Sequence, residues 1–451
     1  MLKKDMGPSS SFLKFPEGFL FGTATSSFQV EGDSGERKSD WDIFLKKHTH
    51  IIKPGEVGPQ WWKKGTAEAD IDLAAGLGMQ VQRLSLEWAR IEPEKGRINK
   101  DALKRYHEII DHLKENNIKP MVTLSHYTLP HWIARSGSWE SSKIIDAFEK
   151  YTQVIVSEFG DVTEWITINE PGILVEAAYF VPFFPPQKFG LFAALRARSN
   201  MLEAHRLAYR VIKRNNPKAR VSMAFAFRWY RPEQKNSYLE HKYAYLANHI
   251  DNLNYVDSVK DTLDFIGVNF YTGFYLNFNL IKFVKNVVAP HGAPPLLFGE
   301  VVKPGAYISD FFGPIVPDFF LNLLRVLHKR YSLPIYITEN GVADRRDQYR
   351  PFYILTHLVA LWKAQQEGIS IQQYLVWSII DNLEWLQGYR QEFGLIHVDP
   401  VTGQRTIRHS AEMYKEIIHS RGIDIKKLLD TYIPEEQKAE AEKLINHMLR
   451  G

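Results

Sequence analysis

The sequence predicts an α/β protein built as a single (β/α)8 TIM barrel, with its active site at the C-terminal ends of the strands. Two observations predict this fold. Short apolar runs alternate with longer segments whose apolar residues recur at three- and four-residue spacing, the pattern of repeated strand–helix units. Eight such runs occur in 451 residues, a length that suits one barrel with insertions.

The eight predicted strands follow one another without a low-complexity linker. They comprise residues 19–25, 80–86, 119–125, 164–169, 220–226, 264–270, 334–338 and 373–379. Helical segments such as 101–117 lie between most of them and end at Asn or Gly, residues that favour helix termination. We therefore expect one domain over 1–451.

The tail, about 423–451, is predicted to contain a helix. Its apolar residues fall on one face and comprise Leu444, Ile445, Met448 and Leu449. Such a face packs on the exterior of the barrel or binds a partner, and the first is the expected arrangement.

Composition and charge narrow the class of protein. The chain has a net charge of +4 and no basic run longer than a pair, so no nucleic acid is expected as a partner. Without cysteine there is no disulfide or thiolate site, and no metal or cofactor is predicted. Neither a membrane span nor an apolar leader is found, so the cytoplasm is the expected location. Whether the chain forms a homo-oligomer is left open.

Polar side chains collect where the predicted strands end. Glu339 closes the apolar run 334–338, and a charge there is costly unless it is solvated, paired or used. Glu170 holds the equivalent place after the fourth strand. Seven of the eight strand ends carry polar or aromatic residues of this kind, which indicates one shared site. Besides Glu170 and Glu339, these residues are Gln29, Arg83, Glu87, His126, Asn169, Asn269, Tyr271, Asn340, Trp377, Asp381, Asn382, Glu384 and Trp385.

Glu170 and Glu339 end facing strands, an arrangement that suits cleavage of an acetal bond. One carboxylic acid would protonate the leaving oxygen, while the other carboxylate stabilises or attacks the oxocarbenium carbon. A separation of about 5 to 5.5 Å favours a covalent intermediate, whereas a wider gap admits water and inverts the centre. The sequence leaves both open. Amide, imidazole and carboxylate groups suit sugar hydroxyls, and an indole suits the apolar face of a sugar ring.

Six motifs resemble, in order, the signatures of glycoside hydrolase family 1, the β-glucosidase and β-glycosidase family. They are FGTATSSFQVEG (21–32), RLSLEWARIEP (83–93), TINEP (167–171), YITENG (336–341), WSIIDNLEW (377–385) and FGLIHVD (393–399). The similarity extends from about Phe15 to Ile418. It implies a barrel that hydrolyses small β-glycosides or oligosaccharides with retention.

The resemblance also implies a role for each matched residue. Glu170 would be the acid/base and Glu339 the nucleophile, with Arg83 and Asn269 supporting the two carboxylates. Tyr271 would donate a hydrogen bond to the nucleophile, and Trp377 would form the floor under the sugar. The remaining substrate-binding residues would be Gln29, His126, Asn169, Glu384 and Trp385. Glu87 and Asp381 are predicted to make structural pairs instead.

Three departures from the family pattern fall on the leaving-group side. Segment 42–69 is shortened, Gly313 stands in 309–317 about where an aromatic residue is common, and Glu392 replaces a common basic residue. The mouth is therefore predicted to be wider or more mobile than in relatives. Whether these changes create another ligand site, and which sugar and aglycone are preferred, is left open.

Two alternative functions remain. A 6-phospho-β-glycosidase would need a cationic phosphate site after the eighth strand, where an anionic Glu384 would repel phosphate. A sugar-binding barrel with weak catalysis could bind another ligand at the altered loops, although it would not need both carboxylates.

Overall fold

Eight parallel strands form a closed ring at the centre of the structure, a computed structural model that describes residues 12–32, 35, 37–277, 299–302 and 306–451. Each strand pairs with the next, and the last pairs with the first. The predicted (β/α)8 barrel is confirmed. The strands are β1 (Leu20–Ala24), β2 (Val81–Ser85), β3 (Lys119–Ser125), β4 (Glu164–Asn169), β5 (Arg220–Pro232), β6 (Ile266–Asn277), β7 (Ile335–Asn340) and β8 (Ile371–Trp377).

Strands β5 and β6 are longer than predicted. They run to Pro232 and Asn277, past the predicted ends at 226 and 270. Beyond the barrel edge they still pair with each other, and β6 also pairs with the short antiparallel strand Gly299–Val301. Arginines such as Arg228 interrupt the apolar run, which hides the continuation in the sequence.

Helices surround the barrel. Segment Lys100–Glu115 is typical: the Asn99 side chain accepts hydrogen bonds from two backbone N–H groups of the first turn, and one apolar face is buried. The helices are Ser27–Glu31, Asp40–Lys47, Thr66–Gly76, Trp88–Ile91, Lys100–Glu115, His131–Arg135, Lys143–Glu158, Pro171–Val175, Leu191–Asn215, Tyr238–Ala247, Asn254–Val259, Pro317–Tyr331, Arg350–Gln366, His409–Ser420, Ile425–Tyr432 and Glu435–Arg450. Single turns of other helix types are Ser138–Glu140, Glu176–Phe180, Asn248–Leu253, Lys260–Thr262 and Trp385–Gln387.

Two short strand pairs and the C-terminal helix lie outside the ring of eight strands. Strand Phe12–Lys14 pairs with Gly422–Asp424, and Ile396–Val398 pairs with Arg405–Ile407. The last helix buries Ile445 and Met448, and Lys363 Nζ of the helix Arg350–Gln366 donates to Leu449 O at 3.2 Å. The division into one domain stays a prediction.

The barrel interior is filled with side chains, so it is a core and not a pore. The inward layer comprises Ala24, Val81, Met121, Ile166, Ala224, Phe265, Tyr336 and Leu375. Close contact continues above it: a Cβ at Gly341 would lie 2.1 Å from Trp377 O, so only glycine lets the end of β7 meet the end of β8. The polar strand ends therefore converge above a solid floor.

None of the helices in the described ranges is long and apolar enough to cross a membrane. The expected absence of an apolar leader concerns the start of the chain, where residues 1–11 lie outside the described residues.

Candidate active site

The carboxyl ends of the strands surround a cavity of about 270 Å³. All the residues predicted to bind the sugar or react with it line this cavity. Of the two predicted supporting residues, Asn269 also lines the cavity. The other, Arg83, contacts Glu339 and Asn169. The lining members of the predicted set are Gln29, His126, Asn169, Glu170, Asn269, Tyr271, Glu339, Trp377, Glu384 and Trp385.

Glu339 is buried at the end of β7 and contacts a cation. Its Oε1 accepts from Arg83 Nη1 at 2.5 Å, and its Oε2 accepts from the Tyr271 hydroxyl at 2.6 Å. Burial raises the pKa of Glu339, Arg83 opposes this shift, and the charge of Glu170 adds to it. The guanidinium therefore favours the ionised form of this carboxyl.

Glu170 follows β4 and receives hydrogen bonds from neutral donors. Asn269 Nδ2 donates to Oε1 at 2.8 Å, and the Tyr127 hydroxyl donates to Oε2. Burial raises the pKa of Glu170 despite these two donors. When the two carboxyls share one proton, it resides on Glu170, because Glu339 alone touches a guanidinium.

A network of amides joins the two carboxyls. Arg83 Nη2 donates to Asn169 Oδ1 at 2.6 Å, and Asn269 Nδ2 donates to the same oxygen at 3.1 Å. The Thr338 hydroxyl donates to Asn269 Oδ1 at 2.7 Å. Because an arginine can only donate, these contacts determine which atom of each amide is oxygen.

His126 offers a donor to the cavity. Asn169 Nδ2 lies 3.2 Å from His126 Nε2 and is a donor, so Nε2 accepts. Burial lowers the pKa of His126 well below its usual value, and the ring is neutral with its hydrogen on Nδ1. That Nδ1 makes no hydrogen bond among the described residues.

Glu384 offers an acceptor. Its buried Oε2 has no hydrogen-bond partner within the described part of the chain. Burial raises the pKa of Glu384 to about 8, with the charges of Glu339 and Glu170 adding to the shift. The sequence predicted that Glu384 accepts from sugar hydroxyls while ionised, and without ligand its raised pKa favours the protonated carboxyl. A hydroxyl group both donates and accepts, so it can bond to the donor of His126 or to the acceptor of Glu384.

Comparison with known proteins identifies the family. The model of "Glycosyl hydrolase family 1" matches residues 12–259 and 249–423. The chain belongs to this family. Beta-glucosidase A of Thermotoga maritima is 32% identical over 91% of this chain and 99% of its own. The structure of the beta-glycosidase from Pyrococcus horikoshii has a TM-score of 0.81 and 32% identity, covering 94% of this chain and 100% of that one.

A ligand complex is among the similar structures. The beta-glucosidase from Thermotoga maritima in complex with glucoimidazole has a TM-score of 0.81 and 29% identity, covering 90% of this chain and 99% of that chain. The resemblance of the six motifs is confirmed, and this member of glycosyl hydrolase family 1 is a retaining β-glycosidase.

Two tryptophans of this family 1 enzyme, Trp377 and Trp385, pack near the ring of His126. The rings of Trp377 and His126 are stacked with centroids 6.0 Å apart, and Trp385 packs against Trp41 at 4.7 Å. Gln29 Nε2 donates to Asn382 Oδ1 and to Leu383 O, so both amide hydrogens join the β1 and β8 loops. Only Oε1 of Gln29 is left to accept from a ligand, and it already accepts from Ser26.

Much of the cavity lining is apolar, and we call this part of it the apolar wall. It comprises Ile173, Ala177, Val181, Phe183, Phe184, Phe227, Phe274, Phe311, Phe312 and Leu386. Among the polar residues that line the cavity, Arg228 pairs with Glu176 at 2.5 Å and the Thr272 hydroxyl donates to Pro314 O at 2.8 Å. Each of these polar groups thus has a partner within the protein, while Gln387 also lines the cavity with a side-chain amide.

The departures from the family pattern have structural outcomes. No residue of 42–69 lines the cavity. Gly313 does not line the cavity either, but Phe311 and Phe312 do. The aromatic surface therefore comes from the two residues before the position where the family commonly has an aromatic residue. Glu392 pairs with Arg408 at 2.5 Å, away from the cavity.

The two residues assigned to structural pairs do not line the cavity. Asp381 pairs with Arg408 at 2.8 Å. Glu87 accepts from the Thr128 hydroxyl at 2.9 Å.

Sequence reasoning missed Tyr127 and the apolar wall. Tyr127 directly follows His126 at the end of β3, and that position was the available signal. The wall comes from segments such as 173–184, which follow the strand ends at a distance and carry no polar pattern.

Proposed function

We propose that this enzyme hydrolyses β-glucosides and related small β-glycosides through a covalent glycosyl-enzyme, with Glu339 as nucleophile and Glu170 as acid/base. The observation that carries the proposal is the difference between their partners. Glu339 faces the cation of Arg83, whereas Glu170 receives hydrogen bonds from Tyr127 and Asn269. Two carboxyls in environments this different take opposite roles, one anionic and one protonated.

In the first step a carboxylate oxygen of Glu339 bonds to the anomeric carbon while the bond from that carbon to the glycosidic oxygen breaks. Glu170 transfers its proton to that oxygen, and the leaving group departs as an alcohol. In the second step water bonds to the same carbon and gives a proton to Glu170, and the ester to Glu339 breaks. Two inversions give net retention.

The sugar would lie against Trp377, with His126 Nδ1–H donating and Glu384 Oε2 accepting. Sugar hydroxyls that donate to Glu384 favour its anion, so binding lowers the pKa of this carboxyl from the value it has without ligand. Relatives named beta-glucosidase (32% identical) and, from Pyrococcus woesei, beta-galactosidase (29% identical) support both sugars as candidates.

The leaving group would be apolar, an aryl or alkyl group. A second sugar brings hydroxyls that need partners, and buried hydroxyls without partners are costly. The apolar wall supplies rings and aliphatic carbons. Of the polar groups beside it, Glu176 pairs with Arg228 and Thr272 bonds to Pro314, which leaves Gln387 as the main partner for a leaving-group hydroxyl. The apolar wall therefore supports alkyl and aryl β-glycosides as the substrate class.

The two alternatives have less support. Among the described lining residues Arg228 is the only arginine or lysine, and Glu176 neutralises it, so a phosphate group would find no free cation. A sugar-binding barrel without catalysis would not need two buried carboxyls joined by one network. We also propose a single domain over 1–451 and a location in the cytoplasm.

A panel of substrates tests the proposal. Turnover of 4-nitrophenyl β-glucoside, β-galactoside and 6-phospho-β-glucoside is measured, and the anomer first released is read by proton NMR. We expect the neutral substrates to be preferred and the β anomer to appear first. Methyl, butyl and octyl β-glucosides share similar leaving-group acidity, so a rise in kcat/KM of about two- to fourfold per buried methylene would report the apolar wall. Release of the α anomer first, or preference for the phosphorylated sugar, would overturn the proposal.

A further inference from the structure

Tyr127 has an unusual backbone. Its φ is +71°, and Thr128 N donates to His126 O at 2.9 Å across it, which closes a three-residue turn centred on Tyr127. A γ-turn with positive φ at a bulky residue is rare and strained. Backbone strain of this kind persists only where surrounding contacts hold the residue in place, and such residues cluster at functional sites.

Ring packing and hydrogen bonds hold the turn at Tyr127 in place. The Tyr127 ring packs against Trp385 at 5.0 Å and Phe184 at 5.7 Å. The next residues are anchored as well, because Thr128 donates to Glu87 and Leu129 N donates to Asp40. The hydroxyl is thereby brought to Glu170 Oε2.

The amide network determines which atom donates to Oε1 of Glu170. Asn169 Oδ1 accepts from Arg83, so the Asn269 atom that touches it is the nitrogen. The same nitrogen donates to Glu170 Oε1, which therefore acts as an acceptor whether or not the acid is protonated. Oε2 accepts from the Tyr127 hydroxyl, so each oxygen of Glu170 has one neutral donor.

We propose that Tyr127 is a positioning residue for the reaction, whose hydroxyl holds Oε2 of Glu170 in both half-reactions. The inference rests on the assignment of Glu170 as the acid/base. In the first half, Oε2 accepts from Tyr127 while the proton of Glu170 goes to the glycosidic oxygen. In the second half, the anionic Oε2 accepts from Tyr127 and from the attacking water. Tyr127 keeps its own proton throughout, since burial and the charge of Glu170 raise the pKa of this phenol well above its usual value.

A hydrogen bond donated to the anion lowers the pKa of Glu170 against the effect of burial. Loss of the hydroxyl therefore raises that pKa, and the basic limb of kcat/KM, where Glu170 loses its proton, moves to higher pH. Other ionisable groups face the same space and stay unchanged in a Tyr127→Phe variant; they are Arg83, His126, Glu176, Arg228, Tyr271, Glu339 and Glu384.

The experiment compares the pH dependence of kcat/KM in the wild type, Tyr127→Phe and Tyr151→Phe. Tyr151 is a matched control, a buried tyrosine whose hydroxyl donates to Leu86 O at 3.4 Å. For Tyr127→Phe we expect the basic limb to move up by roughly one pH unit with KM nearly constant, on the scale of one charge-assisted hydrogen bond. The rate on an alkyl β-glucoside, which needs protonation, falls about tenfold. Tyr151→Phe keeps the wild-type profile.

An unmoved basic limb in Tyr127→Phe, or the same shift in both variants, overturns the inference. If Tyr127→Phe fails to fold, 3-fluorotyrosine at 127 is a stronger donor and moves the limb in the opposite direction, to lower pH. Glu170→Gln separates this inference from the function on which it rests. If Glu170→Gln keeps full activity on alkyl glucosides, the acid assignment itself fails, whatever Tyr127 does.

Discussion

Arg83 touches Glu339 at 2.5 Å from Nη1 to Oε1, and both side chains are buried. Removal of one partner leaves an uncompensated charge, which typically costs about 3 to 5 kcal/mol in a buried pair. The contact also opposes the effect of burial on the pKa of Glu339. This ion pair therefore bears on both stability and reaction.

Arg83→Gln is expected to raise the pKa of Glu339 and so move the acidic limb of kcat/KM to higher pH, because the nucleophile must be ionised. The rate at the optimum falls by at least about a hundredfold, as expected for the loss of a preorganised charge. Arg83→Lys keeps the charge and shifts the limb less. A pH–rate profile checks this, and an unmoved acidic limb in Arg83→Gln would contradict it.

Glu339→Ala is expected to lower hydrolysis of an aryl β-glucoside by roughly a thousandfold or more. The smaller side chain leaves space for azide, which attacks the anomeric carbon directly. Turnover then recovers and yields the glycosyl azide of inverted configuration, read by NMR. Wild-type enzyme with azide is the control. A variant that azide does not rescue would leave the nucleophile unidentified.

Glu170→Ala is expected to slow poor leaving groups far more than good ones, since only the former need a proton. The difference between an alkyl and a dinitrophenyl β-glucoside reaches about 10² to 10⁴-fold, the usual range for general acid catalysis. Steady-state rates across a series of leaving-group acidities measure it. Equal losses at both ends of the series would remove Glu170 from the acid role.

Glu384→Ser removes a carboxylate that we expect to accept from sugar hydroxyls. A charge-assisted hydrogen bond is worth about 1.5 to 3 kcal/mol, so kcat/KM for a neutral β-glycoside falls at least about tenfold. The same change removes a like charge and reduces the penalty against a 6-phosphoglycoside. A variant that hydrolyses both substrates as the parent does would disprove the assignment.

Glu384→Gln should stabilise the ligand-free enzyme. Burial raises the pKa of Glu384 to about 8, above its ordinary value, so the folded state binds this proton more tightly than the unfolded state does. Stability is therefore complete below pH 4 and falls as pH rises through 8. We expect the variant to gain about 1 to 3 kcal/mol near pH 8.5 and little near pH 4.5. Urea unfolding at both pH values measures this, and an equal gain at both would contradict it.

The sequence located the strands and their polar ends because both are local patterns. An apolar run that stops at Glu339, or at Asn169 and Glu170, is visible without knowledge of its neighbours. The partners of these carboxyls are set by distant segments. The contact between Tyr127 and Glu170 depends on a left-handed residue after β3, and a strained backbone has no signature in residue type.

Protonation states were also beyond the sequence. The pKa of Glu384 without ligand depends on burial and on two carboxyls from other strands, and residue types alone show neither. The apolar wall could not be predicted for a similar reason. Phe183 and Phe312 come from segments that follow different strands, and neither position stands out in a chain with 27 phenylalanines.

The side chains that fill the barrel interior close the cavity from below. The alcohol released in the first proposed step and the water used in the second therefore enter and leave on the side where the strands end, where the apolar wall lies. With Glu339 as the proposed nucleophile, an alcohol that stays in the cavity competes with water for the glycosyl group. Added to the medium at high concentration, apolar alcohols would turn the enzyme from degradation towards synthesis, and new alkyl glycosides of unchanged anomeric configuration would accumulate.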